Sequence, residues 1–319
     1  IIKLKKCIKI GKKFNDQMIV ANAKFHLSLI HLNRNNYSTS MKLIDEAINI
    51  SKNENIKSST PKFFDCKGLI YKHQGNLEEA LQMHEKALLL SNEINDRHGI
   101  RKYLNNKGLI FEEKANFEMA IEIYAECLTL SKQMNEKRSL CVSYCNIGDI
   151  LDYQGTLKQS LKYFKRAYNL AIQINYKAGI GGYSNNIGQI YIKQKEYKKS
   201  IVLLNSSIEI LSKLEIVDRI TALIGRAYSY MNLRNDKKLK IDLLKIENLL
   251  KSNPGYKDYK MFWYLYKIYV QYNQKKSADK FLELAYVSLM DRCKYISNNH
   301  NKDYFLNTND AKRILLEIK

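Results

Sequence analysis

Cysteines, histidines and a few adjacent carboxylates are the side chains in this 319-residue sequence with the means to do chemistry. Cys141 and Cys145 stand one helical turn apart, and Cys66 occupies a related position. Three thiolates so placed would suit a soft metal ion. Cys7 and Cys127, however, fall at positions that otherwise hold Ala or Ser, so cysteine serves here as a small apolar residue. His26 and His31 are five apart and do not share a helix face. No metal and no other cofactor is expected. Glu112/Glu113 and Asp149/Asp152 pair carboxylates in the way general acid–base catalysis uses them. No glycine-rich phosphate loop, HExxH or GxSxG accompanies them. Enzymatic activity is not expected, and the acidic pairs read as solvated helix charges unless the fold puts them on a binding surface.

What positions these residues is a repeat. KGLIYKHQGNLEEALQMHEKAL, KGLIFEEKANFEMAIEIYAECL, IGDILDYQGTLKQSLKYFKRAY and IGQIYIKQKEYKKSIVLLNSSI align without gaps. Their glycines Gly68, Gly108, Gly148 and Gly188 are forty residues apart, with Ser28 forty before the first. Cys7, Ala47, Ala87, Cys127, Ala167 and Ser207 form a second small-residue column, and Asn15, Asn55, Asn95, Asn135 and Asn175 a third. Each unit predicts two helices. Leu104, Gly108 and Phe111 lie on one face of the first, and Phe117, Ala120, Tyr124, Cys127 and Leu128 on one face of the second. Small residues at Gly108 and Ala120 let the two backbones approach. QGN, KAN and QGT mark the turn between them. The Asn column falls where second helices stop, because Asn tolerates the left-handed conformation that ends a helix. Thr60 followed by Pro61 is a helix start.

The period defines the organisation. Residues 1–16 read as the second helix of a repeat whose first helix is missing, and 17–214 as five regular forty-residue units. Residues 215–252 are a divergent unit, with Gly225 and Tyr228 in the places of Gly188 and Tyr191 after a step of 37. Residues 253–319 are a last unit with Tyr266, Tyr269, Ala278 and Ala285 in the repeat positions, an extended second helix, a loop and a short closing helix.

Gly, Tyr, Gly, Ala, aromatic and Ala at these offsets resemble the tetratricopeptide (TPR) repeat, in the forty-residue form of kinesin light chains, Leu-Gly-Asn repeat scaffolds and bacterial signalling proteins. The resemblance implies an all-α fold, an α-solenoid of about seven antiparallel helix pairs whose first helices line a concave groove. By the same resemblance the groove would carry Asn105, Asn106 and Glu112, then Asn146, Asp149 and Asp152. Asn185, Asn186, Gln189 and Lys193 follow, and the divergent unit adds Arg226 and Tyr230. Asn106, Asn146 and Asn186 resemble asparagines that grip a ligand backbone in this family; bonding between helices is an equal alternative. The end, DYFLNTNDAKRILLEIK, loosely resembles the tail closing TPR regions of bacterial cyclases, kinases and NTPases. The implied function is a non-enzymatic protein- or peptide-binding module, the sensor or scaffold region of a larger bacterial signalling or defence protein. The partner would be a protein or extended peptide in the groove, its basic or amino group meeting Asp149 and Asp152. The alternatives are a regulator sensing short peptides and a basic nucleic-acid-binding solenoid.

Composition bears on these. Hydrophobic residues at 45% suffice for a core, and two prolines with thirteen glycines favour long helices over a many-turned β fold. No apolar run is long enough to span a membrane, and cysteines without CxxC pairing fit a reduced, cytoplasmic setting. The net charge of +21 would suit nucleic acid. Yet only ten of the 53 basic residues are Arg, and the groove positions hold no excess of them. Nucleic-acid binding is therefore expected to be non-specific and salt-sensitive, with Kd about 10⁻⁴–10⁻⁶ M at physiological salt. A gel-shift titration giving a nanomolar, sequence-selective complex would contradict this.

Overall fold

The computed structural model describes residues 1–213 and 216–318, and among them every regular element is helical. The boundary expected at 214–215 and the last residue, 319, lie outside the described residues. α1 (Ile2–Lys13) comes first, followed by α2 (Gln17–Leu32), α3 (Tyr37–Asn53), α4 (Thr60–His73), α5 (Leu77–Glu93), α6 (Arg97–Glu113) and α7 (Phe117–Gln133). Next are α8 (Lys137–Tyr153), α9 (Leu157–Gln173), α10 (Lys177–Lys193), α11 (Tyr197–Ile210), α12 (Ile216–Asn232) and α13 (Asp236–Ser252). α14 (Tyr259–Gln271), α15 (Lys275–Cys293), α16 (Asn299–Leu306) and α17 (Asn309–Glu317) end the chain. Two compact units are formed, residues 1–130 and 131–319. The segment expected as a loop before the closing helix is itself helical. Asn298 caps α16 by accepting from the Asn301 N–H at 3.1 Å, and Phe305 is wholly buried. Neither signal belongs to the repeat columns.

The turns show why the helices alternate in direction. Asn15, Asn55, Asn95, Asn135 and Asn175 all take φ of 52–56°, the left-handed stop their column predicts. After each, an N–H reaches back five residues to an orphan carbonyl, as Asp96 does to Ser91 at 2.9 Å. Within pairs the same place in the turn is filled by Gly75, Ala115, Gly155 and Lys195. Each stands seven residues after the small residue of its first helix.

That small residue is where the two helices of a pair meet. A Cβ on Gly108 would lie 2.5 Å from the Tyr124 ring, on Gly148 2.7 Å from Phe164, and on Gly188 2.7 Å from Leu204. Gly225 does not belong to this column, which corrects the expected register. Its added Cβ would meet Gln189 and Ile192 on α10, not its own partner helix. Counting back seven from the left-handed Arg234 gives Ala227, fully buried, as the equivalent residue. The step is 39, so Tyr228 takes the inner-face position expected of Arg226. Arg226 instead makes a two-pronged pair with Asp242 on α13, at 2.6 and 2.8 Å, and donates to Asn205 on α11 at 2.7 Å. Tyr230, 7% exposed, lies under Lys238.

In the first unit one member of the large-residue column is polar. Ile44, Tyr124, Phe164 and Leu204 are joined by His84, fully buried against Gly68. Its Nδ1 lies 3.0 Å from Oδ1 of Asp65, which is only 1% exposed. Asn106 donates to the same oxygen at 2.7 Å, and the Lys102 ammonium sits 2.8 Å from Oδ2. Burial by itself would raise the Asp65 carboxyl, but the His84 hydrogen bond and the Lys102 charge outweigh it and hold the carboxyl below its ordinary value.

The same substitution should therefore act in opposite senses at two glycines. Gly148→Ala forces a methyl into Phe164 and should cost about 1–3 kcal/mol in urea unfolding. Gly182→Ala, whose nearest added contact is an ordinary 3.9 Å, should stabilise by about 0.5–1 kcal/mol through helix propensity. The buried carboxylate makes a second prediction. With its folded value below its unfolded one, Asp65 contributes stability above about pH 4, lost as pH falls through the folded value. Asp65→Ala should cost about 3–5 kcal/mol at neutral pH, since it strips a buried partner from His84. It should also flatten the acid limb of the urea midpoint plotted against pH.

Candidate functional site

The expected site residues fall into both units, and each unit treats them differently. In the first, the Asn106 amide is spent on Asp65, so bonding between neighbouring first helices is its role. Glu112 accepts from the Tyr124 hydroxyl at 3.1 Å. Asn105 stands half-buried on α6. Asn106 and Glu112 therefore bond to neighbouring helices of the same unit.

In the second unit the first helices α8, α10, α12 and α14 present side chains to two cavities. One, about 320 Å³, is lined by Asp149, Asp152, Asn185, Asn186, Gln189 and Lys193, six of the expected residues, together with Thr221, Tyr259, Lys260 and Arg292. The other, about 480 Å³, shares Asp152, Lys193 and Lys260 and extends to Tyr228, Lys267 and the turn before α17. Asn146, half-buried on α8, is outside both linings, as are Arg226 and Tyr230.

The acidic spot is paired within the fold. Lys193 donates to both oxygens of Asp152 at 2.7 Å, and Lys260 lies 3.7 Å away. Burial opposes the Asp152 charge, yet the two ammonium groups win and hold its carboxyl below the ordinary range. Asp149 accepts from Cys145 at 3.6 Å and from Asn186 at 3.4 Å. Asn186 also reaches the Cys145 sulfur at 3.3 Å, so its amide bridges α10 to α8 much as Asn106 bridges α6 to α4. Helix bonding thus claims the amide group of both asparagines.

What the smaller cavity leaves open is more specific. Gln189 donates through Nε2 to Asn185 at 3.2 Å and to the Thr221 carbonyl at 3.3 Å, while its Oε1 is buried and accepts nothing. The buried Tyr259 hydroxyl also has no partner. A buried donor and a buried acceptor so left cost stability unless something fills them. Arg292 reaches in from α15 and donates to the Tyr153 hydroxyl at 2.7 Å, and Lys260 lies 3.8 Å above the Tyr153 ring. The nineteen-residue length of α15 carries Arg292 there. Lys260 and Lys267 lie on α14, the first helix of the last unit. Arg292 and Tyr259 had no signal, because neither occupies an inner-face position of the repeat.

Residues 64–133 match the sequence model of the tetratricopeptide repeat, as do residues 142–171 and 182–210. No curated protein matches the sequence. Among solved structures, aspartyl phosphate phosphatase F from Bacillus subtilis is similar with a TM-score of 0.68 at 14% identity, over 92% of this chain and 75% of that one. The Rap conjugation gene regulator of the plasmid pLS20, in complex with the Phr* peptide, gives 0.67 at 14%, over 91% and 80%. A Signal Transduction ATPase with Numerous Domains protein with a tetratricopeptide repeat sensor, from Pyrococcus horikoshii, gives 0.66 at 16%, over 95% of this chain and 48% of that one. At such identities these likenesses speak to fold, and fold agrees with the repeat columns and with the sequence matches: the chain is a tetratricopeptide-repeat protein.

Proposed function

We propose that the chain is a non-enzymatic, cytoplasmic peptide- or protein-binding module whose second unit takes an extended peptide segment in the cavity between α8, α10, α12 and α14. The observation that carries this reading is the unfilled pair, the Gln189 Oε1 acceptor and the Tyr259 hydroxyl donor, in the lining of one cavity. A peptide unit brings one N–H and one C=O, which is what such a pair requires. Asn185 adds an amide beside it. A peptide-bound Rap regulator and a repeat sensor of a signalling ATPase among the structures of similar fold lend support to the role of sensor or scaffold in a larger signalling or defence protein. The lining holds Lys193, Lys257, Lys260 and Arg292 against Asp149, Asp152 and Asp258, so the peptide is not required to bring a basic group.

A displayed random-peptide library panned on the protein tests this. Selected peptides should bind Tyr259→Phe and Gln189→Leu more weakly by about 0.5–1.5 kcal/mol each, the worth of one hydrogen bond. The melting temperature of free Tyr259→Phe should be unchanged or higher, because it loses only an unsatisfied buried hydroxyl, whereas Gln189→Leu also gives up the two bonds donated by its Nε2 and should melt somewhat lower. Enriched peptides that bind the double variant as tightly as the parent would refute the cavity assignment, and a library yielding no enrichment would count against peptide binding.

A further inference from the structure

The larger cavity of the second unit has a different chemistry. Five cationic side chains and two carboxylates line it. One carboxylate, Asp152, is already held by Lys193 and Lys260. Asp310 alone remains to face Lys267, Arg313 and Lys195. Lys267 is the most constrained of these. Its ammonium lies 5.0 Å from the Tyr228 ring centre and 5.1 Å from those of Tyr264 and Trp263, and no carboxylate of the described residues comes within ion-pair distance. Tyr228 and Tyr264 stack on each other at 4.6 Å beneath it. Burial pulls this amine down to about 8, with Asp310 opposing only in part and Arg313 adding to the fall. Burial raises the Tyr228 and Tyr264 phenols further above their ordinary value, so both are neutral beside the cation.

A half-buried cation beside further cations and phenol donors lacks its complement, a group rich in acceptors and negative charge. A surplus of three positive charges suits a multivalent anion better than a single carboxylate. The volume of about 480 Å³, with one wall made by the Asn307–Asp310 turn, is that of a small-molecule pocket. We propose that this cavity binds a small multivalent oxyanion, a phosphate monoester or a polycarboxylate, with Lys267 and Arg313 supplying the countercharge and the Tyr228–Tyr264 stack the wall beneath it. This site adjoins the proposed peptide cavity, with which it shares Asp152, Lys193, Lys260 and Tyr264, but neither Gln189 nor Tyr259 lines it.

Trp263, the only tryptophan in the chain, lies against Lys267 and reports on it. The full chain is titrated with adenosine monophosphate, inorganic phosphate and citrate at constant ionic strength, following Trp263 emission. A saturable change is expected with at least one of them. Preference for the nucleotide over phosphate assigns an organic phosphate, equal binding of both assigns free phosphate, and preference for citrate assigns a polycarboxylate. Lys267→Gln should weaken binding about tenfold or more, and the exposed Arg313→Gln, which leaves the aromatic packing untouched, several-fold. Lys276→Gln, an exposed charge on α15, should bind as the parent does. No saturable response to any of the three anions would overturn the proposal. So would equal affinity in Lys267→Gln and Arg313→Gln, or an equal loss in Lys276→Gln, which would mean general surface charge.

Discussion

The structure depends on how closely two antiparallel helices can lie where a small residue of one faces a large residue of the other. Gly108 meets Tyr124, Gly148 meets Phe164 and Gly188 meets Leu204, each with less room than one methyl group needs. That contact sets the register within a pair, and the left-handed residue seven positions later sets where the chain reverses. With both fixed, the outward direction of every other side chain on the first helices follows from the 3.6-residue turn. The cavities of the second unit are lined by whichever residues that geometry leaves facing inward.

Deviations from the repeat are where polar chemistry enters. His84 replaces a large apolar residue and brings Asp65, Lys102 and Asn106 into a buried cluster, because a buried imidazole needs a partner and a buried carboxylate needs several. In the second unit the carboxylate of Asp152 organises two lysines in the same manner. Within these clusters each carboxylate finds its partners among neighbouring side chains. Among the groups left without a partner, Gln189 Oε1 and the Tyr259 hydroxyl line one cavity, and Lys267, which has no ion pair, lines the other.

Local sequence determined much of this protein. The columns of Gly, Ala and Asn specify helix pairing and helix stops, since those are decided by residues within one repeat. Six of the twelve expected site residues, Asp149, Asp152, Asn185, Asn186, Gln189 and Lys193, do line one cavity, because inner-face positions recur with the period. The divergent unit was misread for a physical reason. Gly225 has the sequence neighbours of Gly188, but Ala227 fills the small position, so Arg226 and Tyr230 were placed on the wrong face.

Tertiary structure alone decided which polar groups are free. Asn106 and Asn186 look identical to ligand-binding amides in sequence, and only the approach of Asp65, Asp149 and Cys145 from the preceding first helix shows that their amide groups are used. Asp149 and Asp152 read as an acidic spot until Lys193 and Lys260, far along the chain, neutralise Asp152. Arg292 reaches Tyr153 across 139 residues of sequence. A repeat fixes what lies beside what in neighbouring helices, but charge balance and hydrogen-bond satisfaction are properties of the enclosed space, and contributions from α14 to α17 enter that space only once the chain has folded.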